Sequence, residues 1–288
     1  MSKPKILVQL DTDAHPSVFD SVVAIDSGVD HLLRHQGITA ENARERVHGA
    51  IFTRGPADLH STAIFVGGSD VTAGEAVLKA VRDSFFGPMR VSVMLDSNGA
   101  NTTAVAAVLA AGKHVPLAGA KALVLAATGP VGQRVVRLLA GAGAEVRAAS
   151  RSLDRARQVC AAVASHVPQA VLSAHAASNA EETAAALEGA QIVIAAGAAG
   201  VELLSEEARL QAQALRVAID LNAVPPAGLA GIEVTDKAVD RNGVACYGAI
   251  GVGGTKMKIH KAAIGRLFAS NDQILDAEQL FEIGQSLS

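Results

Sequence analysis

A glycine-containing turn in the middle of the chain has the residue types and spacing that bind a dinucleotide. The turn Thr128-Gly129-Pro130-Val131-Gly132 follows an apolar run, Ala122 to Ala126, and precedes a helical pattern. Glycines at such a turn let backbone N–H groups approach a pyrophosphate at the N-terminus of the helix. Ala127 replaces the first glycine of the usual pattern, so the strand–turn–helix–strand context carries the prediction. We predict that the dinucleotide is bound by Thr128, Gly129, Pro130, Val131 and Gly132.

The end of the next predicted strand indicates which dinucleotide is bound. That strand, Val146 to Ala149, is followed by Ser150-Arg151-Ser152, and Arg155 comes one helical turn later. An NAD enzyme usually has Asp or Glu here for the ribose 2′-OH, whereas guanidinium groups pair with a 2′-phosphate. We therefore predict an NADP site that includes Ser150, Arg151 and Arg155. The alternatives are NAD as a weaker cofactor, or two solvated arginines at the start of a surface helix.

Two later predicted strands end in loops that we also assign to the cofactor. Ile192 to Ala195 is followed by Ala196-Gly197, and Arg216 to Asp220 is followed by Leu221-Asn222. Open α/β sheets bind their ligands at the carboxyl ends of the strands. We expect Ala196, Gly197 and Asn222 in the cofactor site, together with Gly253 from a glycine-rich segment that resembles a second ligand loop.

Three polar clusters outside this unit have side chains suited to substrate binding. The segment 11–20 (DTDAHPSVFD) holds three carboxylates, and the segment 96–103 (DSNGANTT) follows a predicted strand. In the segment 248–260 (GAIGVGGTKMKIH), Lys256 is expected near the start of a helix and shares a face with His260, four residues later. Each cluster also has an ordinary explanation, namely capping acids, a turn with an N-cap, and surface lysines.

The composition favours a cytoplasmic α/β protein. The chain has 288 residues, of which 50% are hydrophobic, and a formal net charge of −3, which gives no electrostatic reason to expect nucleic acid. No apolar run approaches the ~18 residues of a membrane span, so we expect no membrane association. The two cysteines, Cys160 and Cys246, have no metal-ligand spacing, and we expect no metal.

Strands alternate with helices along the chain, which predicts an α/β fold. Residues 1–100 form a small α/β domain in this interpretation, and the dinucleotide-binding domain follows from residue 101. The expected strands of the first domain are 6–10, 63–66 and 90–95. Its expected helices are 16–25, a second one that is capped by Thr39 and runs through Val47, and 70–85. A last helix is capped by Asp276 with Gln279 three residues later.

Some catalytic arrangements are excluded by the sequence. The single tyrosine, Tyr247, is followed four residues later by Gly251, so no Tyr-x-x-x-Lys proton relay exists. Neither a Ser-His-Asp arrangement nor an HExxH motif is present.

Taken together, these segments resemble the NADP-dependent methylene-tetrahydromethanopterin dehydrogenases of bacterial one-carbon metabolism, some of which also accept methylene-tetrahydrofolate. The match extends over nearly the whole chain. The matching blocks are DTDAHPSVFD (11–20), STAIFVGGSD (61–70), FFGPMRVSVMLDSNGANTTA (85–104), ATGPVG (127–132), VELLSEEA (201–208), NAVPPAGLAGIEVTDK (222–237) and GAIGVGGTKMKIH (248–260).

The resemblance implies two α/β domains flanking a cleft, the second of them a Rossmann-type NAD(P)-binding domain. It also implies a C-terminal helix that returns to the first domain, so we expect domains at 1–100 with 269–288 and at 101–268. The resemblance further implies that the protein is a homo-oligomer, since relatives form trimers. It also implies that the protein uses a nicotinamide nucleotide and no metal.

In the implied reaction a methylene bridge between two pterin nitrogens loses hydride and becomes a methenyl cation, so no general base is required. A developing positive charge favours a nearby carboxylate, and Asp20 or Asp13 is therefore the expected neighbour of the reacting carbon. Lys256 is expected to bind the polar edge of the pterin or to hold a carboxylate in place. Besides Asp20 and Lys256, the residues that we assign to substrate binding are Asp13, Ser17, Phe19, Asp96, Asn98, Asn101, Thr102 and His260.

Two other functions are compatible with these residues. An NADP-linked dehydrogenase of another small molecule, such as a shikimate-like alcohol, would use Lys256 and Asp20 as a base pair, and its pH–rate profile would show an essential base. A non-enzymatic NADP-binding sensor would bind the nucleotide without turnover.

Overall fold

The computed structural model describes residues 3–287, which form parallel sheets with connecting helices. The strands, in chain order, are β1 (Ile6–Asp11), β2 (His31–His35), β3 (Thr62–Gly67), β4 (Ser92–Leu95), β5 (Lys121–Leu125), β6 (Glu145–Ser150), β7 (Val171–Ala176), β8 (Ile192–Ala195), β9 (Val217–Asp220), β10 (Lys237–Arg241), β11 (Val244–Tyr247) and β12 (Ile274–Leu275). The helices are α1 (Val18–Asp26), α2 (Ala43–Ile51), α3 (Val71–Asp83), α4 (Ala100–Gly112), α5 (Pro130–Gly141), α6 (Leu153–His166), α7 (Ala180–Leu187), α8 (Glu206–Gln211), α9 (Ala249–Arg266) and α10 (Ala277–Ser286).

The chain divides into two compact units, which we describe separately. The first unit comprises the residues up to Thr102 and those from Met257 onward, and the second comprises Thr103–Lys256. The return to the first unit therefore lies at Met257, earlier than the expected position 269. The reason is that α9 continues as one helix, and its second half packs on the first unit through residues such as His260, which stacks on Phe65.

The first unit contains a five-stranded, entirely parallel sheet with the strand order β12-β4-β3-β1-β2. Its three central strands, β4, β3 and β1, are mostly apolar and buried because both faces of such a sheet are covered. One face packs against α2 and α3 in a core of completely or almost completely buried side chains. They include Val8, Leu10, Val47, Ile51, Ile64, Val66, Val77, Val81, Val93 and Leu95. The C-terminal strand β12 pairs with β4, which returns the end of the chain to this sheet.

Local signals explain most of the helix ends in this unit. Ser17 caps α1 by accepting a hydrogen bond from the Asp20 N–H, and Asp276 and Gln279 form the expected capping box of α10. The expectation that Thr39 caps α2 is wrong. Asn42 occupies the N-cap position, and its side-chain oxygen instead accepts from the Thr39 N–H, which holds residues 39–42 as a turn before the helix.

The second unit contains a seven-stranded sheet with the order β10-β11-β9-β8-β5-β6-β7. Six strands are parallel and β10 pairs antiparallel with β11. Read from β7 to β11, the parallel strands follow the order 3-2-1-4-5-6 of a Rossmann sheet, with the first strand, β5, at its centre. Within residues 3–287, no helix combines the length and hydropathy needed to cross a bilayer.

Candidate functional site

In the first unit, three neighbouring strands end at one edge of the sheet, and two of them deliver acidic residues there. β1 ends at Asp11, which is in register with Gly67 at the end of β3, and Leu95 at the end of β4 is in register with Val66. Asp96 follows Leu95 directly. Because the carboxyl ends of parallel strands meet at one edge, Asp11, Gly67 and Asp96 lie close together. With Asp20 and His260 they form what we call the acidic edge.

Asp11 is fully buried, and nearby donors satisfy its carboxylate. The N–H groups of Asp13 and Ser17 donate to it at 3.0 and 3.1 Å, and the Gln9 amide donates at 3.2 Å. A carboxylate with several such bonds shapes the loop after β1 because it determines where the chain turns into α1.

Asp96 is also buried, and it holds the first turn of α4. Its carboxylate accepts from the Thr102 N–H at 3.0 Å and from the Thr102 hydroxyl at 2.7 Å. Negative charge is favourable at the N-terminus of a helix, where backbone N–H groups lack intrahelical partners.

Asp20 lies in the first turn of α1 and reaches over Gly67. A Cβ atom built on Gly67 would be 3.2 Å from Asp11 Oδ2 and 3.6 Å from Asp20 Oδ2, so the two carboxylates converge on this glycine. Burial raises the pKa of Asp20 from 3.8 to about 6, and the nearby Asp96 and Asp11 contribute in the same direction. His260 and a hydrogen bond with Ser17 lower this pKa. Asp20 is therefore mostly ionised at neutral pH, and small changes around it alter its charge.

His260 comes from α9 and is completely buried. Its ring stacks on Phe65, with ring centroids 5.7 Å apart and an angle of 16° between the planes, and it lies 6.4 Å from the Phe19 ring. Its Nδ1 atom is 3.8 Å from Asp96 Oδ2. The acidic edge thus combines three carboxylates with one imidazole.

Several residues assigned to substrate from the sequence instead hold this unit together. Asp13 accepts from the N–H and hydroxyl of Ser69 and so links the loops after β1 and β3. Asn101 is buried and donates to Leu95 O and Asp276 Oδ1. These bonds and the burial of Asp96, Thr102 and His260 give these residues structural roles in the unit, and their contact with a substrate stays a prediction.

Other residues assigned to substrate have exposed or partly exposed side chains that a ligand could contact. Their contacts with substrate stay predictions. Phe19 has 52% of its surface exposed and adjoins Asp20 on α1, and Ser17 is partly exposed at the N-cap. Asn98 is exposed and adopts a left-handed conformation with φ 55°. Lys256 is partly exposed and lies in the middle of α9, four residues before His260, rather than near the start of the helix as expected.

The sequence interpretation missed Phe65, Gly67 and Ser69 as parts of this edge. Gly67 and Ser69 do follow an apolar strand in the pattern VGGSD, which is the same strand-end signal that identified Asp96. Phe65 had no such signal, because a phenylalanine inside an apolar strand is indistinguishable from an ordinary core residue.

In the second unit, the predicted glycine turn lies between β5 and α5. Gly129 is the N-cap of α5 and Pro130 its first residue, where a missing N–H costs nothing. A Cβ on Gly132 would lie 2.6 Å from Ala126 O and 2.8 Å from Ala127 Cα, so only glycine permits this close packing of helix and turn. Thr128 and Val131 flank these positions, and the first-turn N–H groups of α5 offer a site for a pyrophosphate.

A cavity of about 440 Å³ extends from this turn to the end of β6. Two exposed arginines, Arg151 and Arg155, line it, and the Ser152 hydroxyl caps α6 by accepting from the Arg155 N–H. Two cationic side chains, hydroxyl groups and a helix N-terminus fit the adenosine end of a nicotinamide dinucleotide that carries a 2′-phosphate. The full lining is Leu125, Ala126, Thr128, Ser150, Arg151, Ser152, Arg155, Ala177 and Leu203.

The other residues assigned to the cofactor lie at strand ends of the same unit. Ala196 follows β8 and approaches the glycine turn, since a Cβ on Gly129 would be 3.6 Å from Ala196 O. Gly197 packs against Leu203, where a Cβ would be 2.7 Å from a side-chain methyl. Asn222 is buried, and its amide donates to Pro226 O and accepts from the Val224 N–H. Contact of Asn222 with a cofactor stays a prediction.

The expected glycine-rich ligand loop before Lys256 is wrong. Residues from Ala249 onward are helical, and nothing lies within 4 Å of a Cβ built on Gly253. Gly248 and Gly251 instead allow the start of α9 to press against residues 233–237. A Cβ on Gly248 would be 2.1 Å from Glu233 O, and one on Gly251 would be 1.7 Å from Asp236 O. The glycines of this segment serve helix packing.

Comparisons with known proteins show the family to which the chain is related. A family model described as methylene-tetrahydromethanopterin dehydrogenase, N-terminal, matches residues 18–98, a range that includes Asp20, Gly67 and Asp96. A protein of Methylorubrum extorquens AM1 named "Bifunctional protein MdtA" is 47% identical over 292 residues, with complete coverage of both chains. An NAD(P)-dependent methylenetetrahydromethanopterin dehydrogenase of the same organism is 28% identical, with 98% coverage of each chain.

Solved structures show a similar fold at low sequence identity. A ligand-free 5-ketofructose reductase of Gluconobacter sp. strain CHM43 is 16% identical with a TM-score of 0.54, and the match covers 99% of each chain. A quinate dehydrogenase of Corynebacterium glutamicum in complex with NAD is 13% identical with a TM-score of 0.50, covering 98% of this chain and 99% of that one.

Proposed function

The chain belongs to the methylene-tetrahydromethanopterin dehydrogenase family, and we propose that its second unit binds NADP while the acidic edge of its first unit faces the reacting pterin. It is an NAD(P)-dependent oxidoreductase that takes hydride from the methylene bridge of methylene-tetrahydromethanopterin and leaves the methenyl form. The C–H bond breaks with its electron pair, no proton is released, and the remaining positive charge is shared by the two nitrogens beside the carbon.

The preference for NADP rests on the cavity at the end of β6. Arg151 and Arg155 are exposed there, and Ser150 and Ser152 line the same cavity. A 2′-phosphate brings about two negative charges that these cations would neutralise, whereas a free ribose 2′-OH would leave them without an anion. When bound, the nicotinamide supplies the acceptor for the hydride. The turn at Gly129 and Gly132 anchors the pyrophosphate, which fixes the nucleotide in position.

Asp20 is the residue to which we assign stabilisation of the developing cation. The observation that carries this assignment is an ionisable carboxylate that is held in a partly desolvated place over Gly67 by the first turn of α1. In such surroundings a fixed negative charge stabilises a neighbouring positive charge more strongly than it would in water. Because the charge develops during hydride loss, this interaction lowers the barrier and not only the dissociation constant.

Lys256 and the exposed side chains near Asp20 are assigned to binding the pterin. Lys256 is proposed to donate to the polar edge of the ring system, and Phe19 offers an aromatic face beside Asp20. A cation beside the reacting carbon would oppose the developing charge, so Lys256 belongs at the pterin edge and not at the methylene bridge. Ser17 and Asn98 are the further polar groups on this surface.

Initial rates with two pterins and two nucleotides test the proposal. We expect turnover of methylene-tetrahydromethanopterin with NADP and a lower kcat/KM with NAD, and the rates with methylene-tetrahydrofolate measure whether that pterin is a further substrate. No turnover of either methylene-pterin with either nucleotide would contradict the function, and nucleotide binding without turnover would favour a sensor. Oxidation of shikimate or quinate under the same conditions would instead support an alcohol dehydrogenase. A homo-oligomer and a cytoplasmic location are further parts of the proposal, to be examined by sedimentation and by cell fractionation.

A further inference from the structure

The acidic edge concentrates negative charge in a place with little water. Asp11 and Asp96 are buried and Asp20 is partly buried, and all three lie at the ends of adjacent strands or over them. Buried carboxylates are stable as anions only when hydrogen-bond donors or cations compensate for the lost water. The way in which each carboxylate is compensated therefore determines the charge at this edge.

Two of the three carboxylates are compensated by their own surroundings. Asp11 accepts from two backbone N–H groups and the Gln9 amide, and Asp96 accepts from the N–H and the hydroxyl of Thr102 at the start of α4. Asp20 is the carboxylate whose burial outweighs its hydrogen bonding, because its pKa lies well above the ordinary value. Its ionised form needs further support.

His260 lies where it can give that support. Its ring is completely buried, stacked on Phe65, and its Nδ1 atom is 3.8 Å from Asp96 Oδ2. The ring also lies near the start of α1, since its centroid is 6.4 Å from that of Phe19, the residue before Asp20. A positive charge at this place favours the ionised form of Asp20 and lowers its pKa. Phe65 on one side and Asp96 on another determine the orientation of the imidazole, which is the member of this cluster that can become a cation.

We propose that His260 is a positioning residue for the hydride transfer. Held by Phe65 and Asp96, it carries a positive charge that keeps Asp20 ionised over Gly67. His260 does not contact the pterin and acts through Asp20. The inference rests on the function proposed above and adds to it the residue that determines the charge of the carboxylate at the reacting carbon.

The expected pH dependence follows from the groups that face Asp20 within this unit, which are Asp11 from β1, Asp96 after β4, His260 from α9 and the Ser17 hydroxyl. As pH falls through about 6, Asp20 gains a proton, its stabilisation of the cation is lost, and kcat falls. If His260 is replaced by a neutral side chain, burial, Asp96 and Asp11 raise the pKa of Asp20 with less opposition. The loss of kcat then begins at a higher pH.

The first experiment compares pH–kcat profiles of the wild type and His260→Gln with saturating methylene-pterin and NADP. We expect the acidic limb of His260→Gln to move up by about one pH unit or more, with kcat returning to near the wild-type value at high pH. The KM for NADP should not change. His60→Gln, which removes an exposed imidazole from the same unit, should reproduce the wild-type profile. A uniform fall in kcat at every pH would overturn the proposal, because that is the effect of a purely structural role.

A double-mutant cycle distinguishes action through Asp20 from direct contact with the substrate. In an Asp20→Asn background, His260→Gln should leave kcat unchanged within about twofold, because the group on which it acts is no longer ionisable. Multiplicative losses from the two substitutions would overturn the proposal, since they would mean that His260 acts independently.

A spectroscopic measurement tests the charge itself and does not depend on turnover. The ring ¹⁵N chemical shifts of the intact protein at pH 7, assigned by the loss of signals in His260→Gln, should show His260 as an imidazolium. A neutral ring at pH 7 would overturn the proposal. If the wild type fails to turn over any methylene-pterin, the proposed function fails, whereas wild-type turnover with an unshifted His260→Gln profile rejects only the role of His260.

Discussion

The two sheets of this protein both present ligand-binding groups at the carboxyl ends of parallel strands, but they do so in different ways. In the second unit, the cofactor cavity is built from short contiguous segments, the turn at residues 128–132 and the segment 150–155. In the first unit, the acidic edge combines residues 11, 20, 67, 96 and 260, which are far apart in the sequence. Both sites can bind ligands because both lie at the carboxyl ends of parallel strands. They differ in the sign of their charged side chains and in how far these are buried.

The cofactor cavity uses exposed cations, whereas the acidic edge uses buried anions. Arg151 and Arg155 are in contact with solvent before a ligand arrives, so they cost the fold little and act mainly on the bound phosphate. The carboxylates of the acidic edge lie close to one another in the folded chain, where burial first, and then Asp96 and Asp11, raise the pKa of Asp20. Substitutions at the cofactor cavity should therefore change affinity, and substitutions at the acidic edge should change turnover.

The largest effect is expected from Asp20→Asn, which removes the charge and keeps the shape. If Asp20 stabilises the developing cation, kcat should fall by about 100- to 1000-fold while the KM for NADP stays near the wild-type value. Steady-state kinetics with methylene-tetrahydromethanopterin measures both. Asp26→Asn, in the same helix and paired with Lys261 at the surface, is the matched control and should leave kcat unchanged. Near-normal turnover in Asp20→Asn would return this residue to a capping role.

Arg151→Ala should have the next largest effect, confined to the nucleotide. Loss of a charge-assisted pair with the 2′-phosphate costs about 1.5–3 kcal/mol, so the KM for NADP should rise by roughly 10- to 100-fold. The kinetics with NAD should barely change. Arg157→Ala, which removes an arginine paired with Asp154 on the same helix, should leave both nucleotides unaffected. Equal losses with NADP and NAD in Arg151→Ala would contradict recognition of the 2′-phosphate.

Lys256→Ala is expected to lower kcat/KM for the pterin by about tenfold, because one charge-assisted hydrogen bond to the substrate is lost. Nucleotide affinity should remain near that of the wild type, since the assigned nucleotide contacts lie at the ends of β5, β6, β8 and β9 and in the loops that follow them. Lys258→Ala changes an exposed lysine two residues later on the same helix and serves as the control. Equal kinetics in the two variants would contradict a role of Lys256 in binding the pterin.

The smallest effect is on stability, at the close approach between α5 and the glycine turn. A Cβ in Gly132→Ala would meet Ala126 O at 2.6 Å, and overpacking of this kind lowers the free energy of unfolding by about 1–3 kcal/mol. Tm should therefore decrease by a few degrees. Gly141→Ala at the end of the same helix has nothing within 4 Å of its Cβ and should be neutral or slightly stabilising. Thermal unfolding of both variants measures the difference, and an unchanged Tm in Gly132→Ala would contradict the close packing.

The spacing of apolar residues was sufficient to predict the strands and helices that are apolar and regular. The buried strands β1, β3, β5, β8 and β9 and the helix α3 lie close to their predicted ranges, and α5 follows the glycine turn as predicted. The edge strand β2 was missed because its sequence, HLLRH, is largely exposed and has no alternation of apolar and polar residues. β7 was also missed; it lies at the edge of the second sheet, and none of its six residues is buried.

The sequence by itself determined the dinucleotide unit, because a strand, a glycine turn and a helix are contiguous and their chemistry is local. It also determined the family, through blocks distributed over the whole chain. The tertiary structure decided which polar residues of the first unit meet. Asp13, Asn101 and Thr102 proved to hold loops and helix ends, whereas Asp20 and His260 converge at one edge, although 240 positions separate their numbers in the chain. The physical reason is that a polar side chain can satisfy either the backbone or a ligand, and only the folded arrangement determines which of these partners is within reach.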